Sequence, residues 1–223
     1  MIAAFVLIFC TAAGQKMQTF KDECGSFFEN MAHLYRLKQA ELDFYNFQPH
    51  QLIASVGAGC GFWEAAFAAT TDSISFYLED IDTTKLNKQH AGFAWIYYSK
   101  LRGKRMTSNY QLVIANEKST LLPENAFDKI LIINSFHEFT YQAEMLEDIK
   151  KKLKPGGLLY IDEAVPKRPG QLHGICNLAM LNNEEMIALF SRNGFEYLNG
   201  LEFNYRQKVP VRKIFAFRMK ATS

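Results

Sequence analysis

At 223 residues, with 48% apolar and 22% charged side chains, the chain has the composition of an ordinary globular domain rather than a disordered, fibrous or repeat protein. Its 25 basic and 23 acidic residues leave a net charge of +2, too small a surplus to point to nucleic acid as an obligatory partner. The four cysteines, at positions 10, 24, 60 and 176, form no CxxC pair and have no histidines beside them at metal-ligand spacing, so no metal site is expected and Cys60 and Cys176 read as small residues of a reduced interior.

The chain opens on Met1 to Ala13, an uncharged apolar run that ends in Thr11-Ala12-Ala13-Gly14. Its apolar core has the length of a signal-peptide core and is too short to cross a bilayer, so no integral membrane span is expected, while the positively charged start of a signal peptide is missing. Residues 1–14 read either as a signal peptide, which would export the protein, or as an apolar N-terminal helix of a cytoplasmic one; residues 15–223 read as one domain. Apolar positions at helical spacing (Leu34, Leu37, Ala40, Leu42, Phe44) predict a helix within Phe27 to Phe47, stopped by Pro49 before a strand at Leu52 to Val56. A glycine turn follows, then an alanine-rich helix at Phe62 to Ala69 and a strand at Ile74 to Leu78.

Further strands are expected at Gln111 to Ile114, Lys129 to Asn134 and Leu158 to Asp162, with helices at His90 to Lys100 and Tyr141 to Leu153 between them. The second of these helices ends in the one basic run, Lys150, Lys151, Lys152 and Lys154, where cations complement the helix dipole. This alternation specifies an α/β fold with a mainly parallel, doubly wound sheet. The tail differs: a helix at Asn183 to Arg192 leads to two β-rich stretches, Phe195 to Phe203 and Ile214 to Met219, expected to pair antiparallel at the end of the sheet.

In such a sheet the ligand lies outside the carboxyl ends of the strands. Gly57, Gly59 and Gly61 after the first strand let backbone approach a nucleotide-like group, and Asp80, about 20 residues on, is placed to accept hydrogen bonds from ribose hydroxyls. Phe62 stands where a dinucleotide fingerprint wants glycine or alanine, which argues against an NAD-dependent oxidoreductase. No tyrosine is followed four residues later by lysine, and no Gly-Lys-Ser/Thr phosphate loop is present.

Four segments in order carry a family resemblance. They are Ile53-Ala54-Ser55-Val56-Gly57-Ala58-Gly59-Cys60-Gly61, Tyr77-Leu78-Glu79-Asp80-Ile81-Asp82, Leu122-Pro123-Glu124-Asn125-Ala126-Phe127-Asp128 and Leu153-Lys154-Pro155-Gly156-Gly157-Leu158-Leu159. Together they resemble the class I S-adenosylmethionine-dependent methyltransferases. The resemblance implies a Rossmann-like seven-stranded sheet, mostly parallel with a reversed C-terminal strand and helices on both faces, and S-adenosylmethionine as the cofactor. It places Gly57, Ala58, Gly59 and Gly61 along the methionine and ribose, Asp80 on the ribose hydroxyls and Ile81 on adenine. Asn116, with Glu117 beside it, stands near the adenine amino group, and Asn134 and Ser135 flank the sulfonium. Ser55 departs from the pattern, since the family usually carries an acid there, facing the cofactor's ammonium.

Methyl transfer needs alignment of the nucleophile and, where that group carries a proton, a base. His137 and Glu138 after the fourth strand, Glu163 at the end of the fifth and His173 in the following loop are the candidates. The extra segments are too short for a domain that would hold a macromolecule, so a small-molecule acceptor is expected. The alternative is a catalytically degenerate protein of this fold that acts as a ligand-binding module; replacing Ser55 with Asp should then strengthen cofactor binding.

Overall fold

A computed structural model of the protein describes residues 20, 24–25, 27–203 and 211–221. The apolar segment 1–14 lies outside the described residues. Helix α1 (Met31–Tyr45) starts at Asn30, whose side chain accepts from the His33 N–H at 2.8 Å. It ends earlier than Pro49 demands, because Asn46 adopts a left-handed conformation at φ 48° and returns its N–H to the Leu42 carbonyl. Next come β1 (Leu52–Val56), α2 (Phe62–Ala68), β2 (Ser75–Asp80), α3 (Lys88–Leu101) and β3 (Asn109–Ile114). After them lie β4 (Phe127–Ile133), a short 3-10 turn at Phe136–Glu138, α4 (Gln142–Lys152), β5 (Leu153–Val165), α5 (Asn183–Arg192), β6 (Phe195–Phe203) and β7 (Val211–Met219).

The seven strands form one sheet in the order β3-β2-β1-β4-β5-β7-β6. Strands β1 to β5 run parallel, and β7 is antiparallel to both β5 and β6. The expected pairing of the last two strands is thus observed, and β7 is inserted between β5 and β6. Alternate strand residues face opposite sides. Ile53 and Leu131 join α1, α2 and α3 in one core, whereas Ala54, Ile130 and Ile132 join α4 and α5 in the other. None of the described helices is long and apolar enough to cross a membrane.

Strand β5 begins five residues before the expected Leu158, because Pro155-Gly156-Gly157 belongs to the strand and not to the loop before it. Gly156 has φ 78° and the β4–β5 register shifts between Phe127 and Lys129. A Cβ on Gly157 would sit 2.8 Å from the Phe127 carbonyl, so this bend admits only glycine. The lysine run closes α4 as expected, although Lys152 is buried, 3.4 Å from Asp148.

Candidate active site

The strand order reverses between β1 and β4, so the loops after β1, β2 and β4 diverge and leave a crevice at the carboxyl edge of the sheet. A cavity of about 490 Å³ opens there. Gly57, Gly59, Glu79, Asp80, Ile81, Glu117, Asn134, Ser135 and Glu138 are among the residues that line it, with Phe139 and Met145 as apolar wall. Gly57, Gly59 and Gly61 hold φ values of 72°, 55° and 70°, which bring the backbone of the turn to the cavity edge.

Asp80 pins this turn, since its Oδ2 accepts from the Gly59 N–H at 2.7 Å and its Oδ1 from the Asp82 N–H at 2.9 Å. Each oxygen keeps a lone pair for a further donor. The Ala58 N–H donates to the Glu79 carbonyl at 2.9 Å, so β2 fixes the turn at two points. Ser135 supports it from β4 by donating its hydroxyl to the Val56 carbonyl at 3.1 Å. Ile81 is exposed at the rim. Of the two adenine-side candidates, Glu117 lines the cavity, while Asn116 Oδ1 accepts from the N–H groups of Lys118 and Ser119 in its own turn.

Ser55 is buried, and its hydroxyl donates to Glu64 Oε1 at 2.5 Å. Glu64, which the sequence reading did not single out, is thus the partner of the departing position 55. It stands in the first turn of α2, is 1% exposed, and its Oε2 has no hydrogen-bond partner; the Oε2 of buried Glu79 has none either. Burial raises the Glu64 carboxyl to about 7, against the hydrogen bond from Ser55, and burial together with the charge of Asp80 raises Glu79 to about 8. The available signal was an acid in the first turn of the helix directly after the glycine turn.

Cys60 is not a reduced interior residue. Its sulfur is bonded to Cys24, tying the segment before α1 to the glycine turn across a sequence separation of 36. Contacts of Phe27 and Phe28 with Phe62, at ring distances of 5.1 and 6.0 Å, bring the two cysteines together, and sequence spacing does not announce such contacts. Reduction, or Cys24→Ser, is expected to cost about 2–4 kcal/mol by restoring the freedom of the unfolded loop. An unchanged unfolding midpoint with and without reductant would contradict the bond.

Next to Glu138 of the cavity wall, and not itself among the lining residues, His137 places its Nδ1 3.0 Å from both carboxylate oxygens of buried Glu163. Glu163 also accepts the His137 backbone N–H at 3.3 Å, so the ring is fixed from two points. A carboxylate accepts, so Nδ1 is the donor to Glu163, and in the neutral ring Nε2 carries the lone pair. That Nε2 is buried without a hydrogen-bond partner on a side chain 5% exposed. The hydrogen bond to Glu163 raises the His137 pKa, whereas burial and the neighbouring His137 lower that of His173. The two rings are 4.4 Å apart. Glu138 is the exposed member of the group, its Oε1 3.7 Å from His137 Nε2.

The structure thus gathers the predicted residues into two adjoining groups, one around the glycine turn and Asp80, the other around His137. Asn134, at φ 56° on the β4 edge, joins them; its Oδ1 accepts from Arg212 Nη1 at 2.6 Å.

Comparison with known proteins agrees with this geometry. A family profile described as "Methyltransferase domain" matches residues 55–161. The ubiquinone/menaquinone biosynthesis C-methyltransferase UbiE of Vibrio parahaemolyticus is 30% identical over 132 residues, 58% of this chain and 48% of that protein. That of Shewanella frigidimarina is 29% identical over 122 residues, 54% and 45%. The chain therefore spans about half the length of these relatives. A SAM-dependent methyltransferase from Aquifex aeolicus superposes with a TM-score of 0.61 at 17% identity, covering 84% of this chain and 98% of that one. The 1,6-didemethyltoxoflavin-N1-methyltransferase of Burkholderia thailandensis, solved with its acceptor and S-adenosylhomocysteine, gives 0.62 at 17% identity over 99% and 89%. Four motifs in order, a seven-stranded sheet of this topology and the matched profile agree: residues 55–161 carry a methyltransferase domain, set in the fold of the class I S-adenosylmethionine-dependent methyltransferases.

Proposed function

We propose that the chain transfers the methyl group of S-adenosylmethionine to a small aromatic acceptor that carries an ionisable hydroxyl. The observation that carries this reading is the juxtaposition of a nucleotide-sized cavity, its glycine turn pinned by Asp80, with the oriented His137–Glu163 pair directly behind the lining residue Glu138. The residues present suit the cofactor. Asp80 keeps acceptor capacity for ribose hydroxyls, and the unpartnered Oε2 atoms of Glu64 and Glu79 suit its ammonium. Glu64 stands in for the acid that position 55 lacks. An Asp at 55 would press a second carboxylate against Glu64, so Ser55→Asp is now expected to weaken binding, not strengthen it.

S-adenosylmethionine, when bound, supplies an electrophilic methyl group on a sulfonium. The protein's share is to orient the acceptor and take its proton. His137 Nε2 would take it, and Glu163 would stabilise the imidazolium that forms. Phe139 and Met145 offer an apolar wall, and the relatives named for quinone biosynthesis favour an acceptor of this class. The test is S-adenosylhomocysteine release with a panel of phenols and quinols. Turnover by the wild type that falls by about 10²–10⁴ in His137→Ala supports the reading; cofactor binding with no turnover across the panel opposes it.

A pH dependence follows from Glu64. With its carboxyl raised to about 7, the unliganded protein favours the neutral form, which attracts no cation. Stability of the unliganded protein therefore falls as pH rises from the ordinary carboxylate range toward 7, while affinity for the cofactor rises over the same interval. The cofactor's own amino group titrates at about 8, so Glu64→Gln supplies the reference. Calorimetry from pH 6 to 7.5 should show affinity climbing more steeply in the wild type than in the variant, where only Glu79, raised to about 8, still titrates; parallel profiles would remove Glu64 from the site.

A further inference from the structure

The sequence reading expected no metal site and passed over the His-x-x-Cys spacing of His173 and Cys176, which the folded chain completes with a third ligand. Residues 172–179 form a small hairpin closed by a bridge between Leu172 and Ala179 and by the His173 N–H donating to the Leu178 carbonyl at 2.8 Å. Its tip, His173-Gly174-Ile175-Cys176, turns both ligating side chains to the same place, with His173 Nδ1 3.1 Å from Cys176 Sγ. His137 enters from the 3-10 turn after β4, and one ligand atom each of His137, His173 and Cys176 lies within 4.8 Å of the others. Two separate elements thus converge on one point. The buried, unpartnered Nε2 of His137 is a lone pair with nothing to receive it.

We propose that His137 Nε2, His173 and Cys176 bind a divalent transition-metal ion of the zinc class. Two imidazoles and a thiolate match the ligand preference of zinc, whose tetrahedral sites hold such atoms roughly 3.3–3.7 Å apart, so the cluster closes on an ion with a shift of about 1 Å. Glu163 already makes the contact that metal-bound histidines make through their second nitrogen, fixing Nδ1 as the donor and raising the basicity of Nε2. Glu138 Oε1, 3.7 Å from Nε2, is in reach as a fourth ligand. A second grouping, Cys24, Cys60 and His90, offers no such site, because both sulfurs are held in the disulfide. The ion would use the lone pair assigned above to the acceptor's proton, so a loaded site and a basic His137 exclude one another.

Metal binding itself tests the proposal, with a readout that does not depend on methyl transfer, so its failure leaves His137 free for the base role proposed above. Cobalt(II) titrated into the full chain should bind at one equivalent and give a thiolate-to-cobalt charge-transfer absorption that zinc displaces. The Cys176→Ser variant should lose that absorption, His173→Asn should weaken binding at least about tenfold, and Cys10→Ser should change neither. Circular dichroism verifies that each variant is folded. Absence of stoichiometric cobalt binding, or an absorption that survives Cys176→Ser in folded protein, would overturn the site.

Discussion

Asp80→Ala is expected to weaken S-adenosylmethionine binding a hundredfold or more, about 3 kcal/mol. The carboxylate does two things at once. It accepts from the Gly59 and Asp82 N–H groups at 2.7 and 2.9 Å, which holds the glycine turn in its left-handed conformation, and it retains lone pairs for the ribose. Hydrogen bonds to a charged acceptor contribute about 1.5–3 kcal/mol each, so losing the ribose contacts alone accounts for the estimate. Asp80→Asn keeps one carbonyl acceptor and should fall between wild type and alanine. Calorimetric titration of the three proteins checks this, with thermal unfolding as the control for an intact fold. An Asp80→Ala protein that binds within about threefold of wild type would show that the cavity over Asp80 is not the ribose site.

The largest effect on stability is expected at Arg212. This β7 guanidinium donates from Nε and Nη2 to Asp162 Oδ1 at 3.1 and 2.6 Å, from Nη2 to the Asp162 carbonyl at 3.1 Å, and from Nη1 to Asn134 Oδ1. Asp162 is buried on β5, where desolvation raises its pKa against the pull of Arg212. Arg212→Met leaves that carboxylate without its cation, at a cost of about 3–5 kcal/mol near neutral pH. Without Arg212 the folded-state pKa of Asp162 rises further. Its penalty is then absent below the unfolded carboxyl pKa and grows as pH rises toward the folded one. Denaturant unfolding should therefore show a deficit that shrinks toward pH 4, and Asp162→Asn added to Arg212→Met should recover part of it. A loss below about 1 kcal/mol at pH 7 would mean that the pair is solvated and not structural. The same variant unseats Asn134 at the cavity edge, so it should lose cofactor affinity as well.

What the sequence made legible was local. Strand β1, helix α5 and strand β6 fall on the expected residues, since each has its own periodicity and punctuation: the glycine turn after Val56, the Asn182–Glu185 capping box, the turn at Asn193-Gly194. The glycines and Asp80 were legible for the same reason, lying on consecutive strand ends within one βαβ unit. Contacts that depend on the assembled sheet were not. Arg212 reaches Asp162 and Asn134 only because β7 inserts beside β5, and Glu64 meets Ser55 only because α2 packs back over β1. The disulfide to Cys60 and the approach of His137 to the His173–Cys176 hairpin likewise join segments far apart in sequence, although the His-x-x-Cys spacing of the hairpin itself was legible. Pro155-Gly156-Gly157 failed for a different reason: residues that usually mark a turn here start a strand through a bulge.

The central claim is that the turn from Gly57 to Gly61, together with Asp80, binds S-adenosylmethionine. Calorimetric titration of the full chain with S-adenosylmethionine and with S-adenosylhomocysteine tests it most directly. Saturable one-to-one binding of both ligands, with a dissociation constant on the order of micromolar, is the predicted result. No heat and no thermal stabilisation from either ligand at millimolar concentration would contradict it, and would leave a methyltransferase fold whose cavity serves a different ligand.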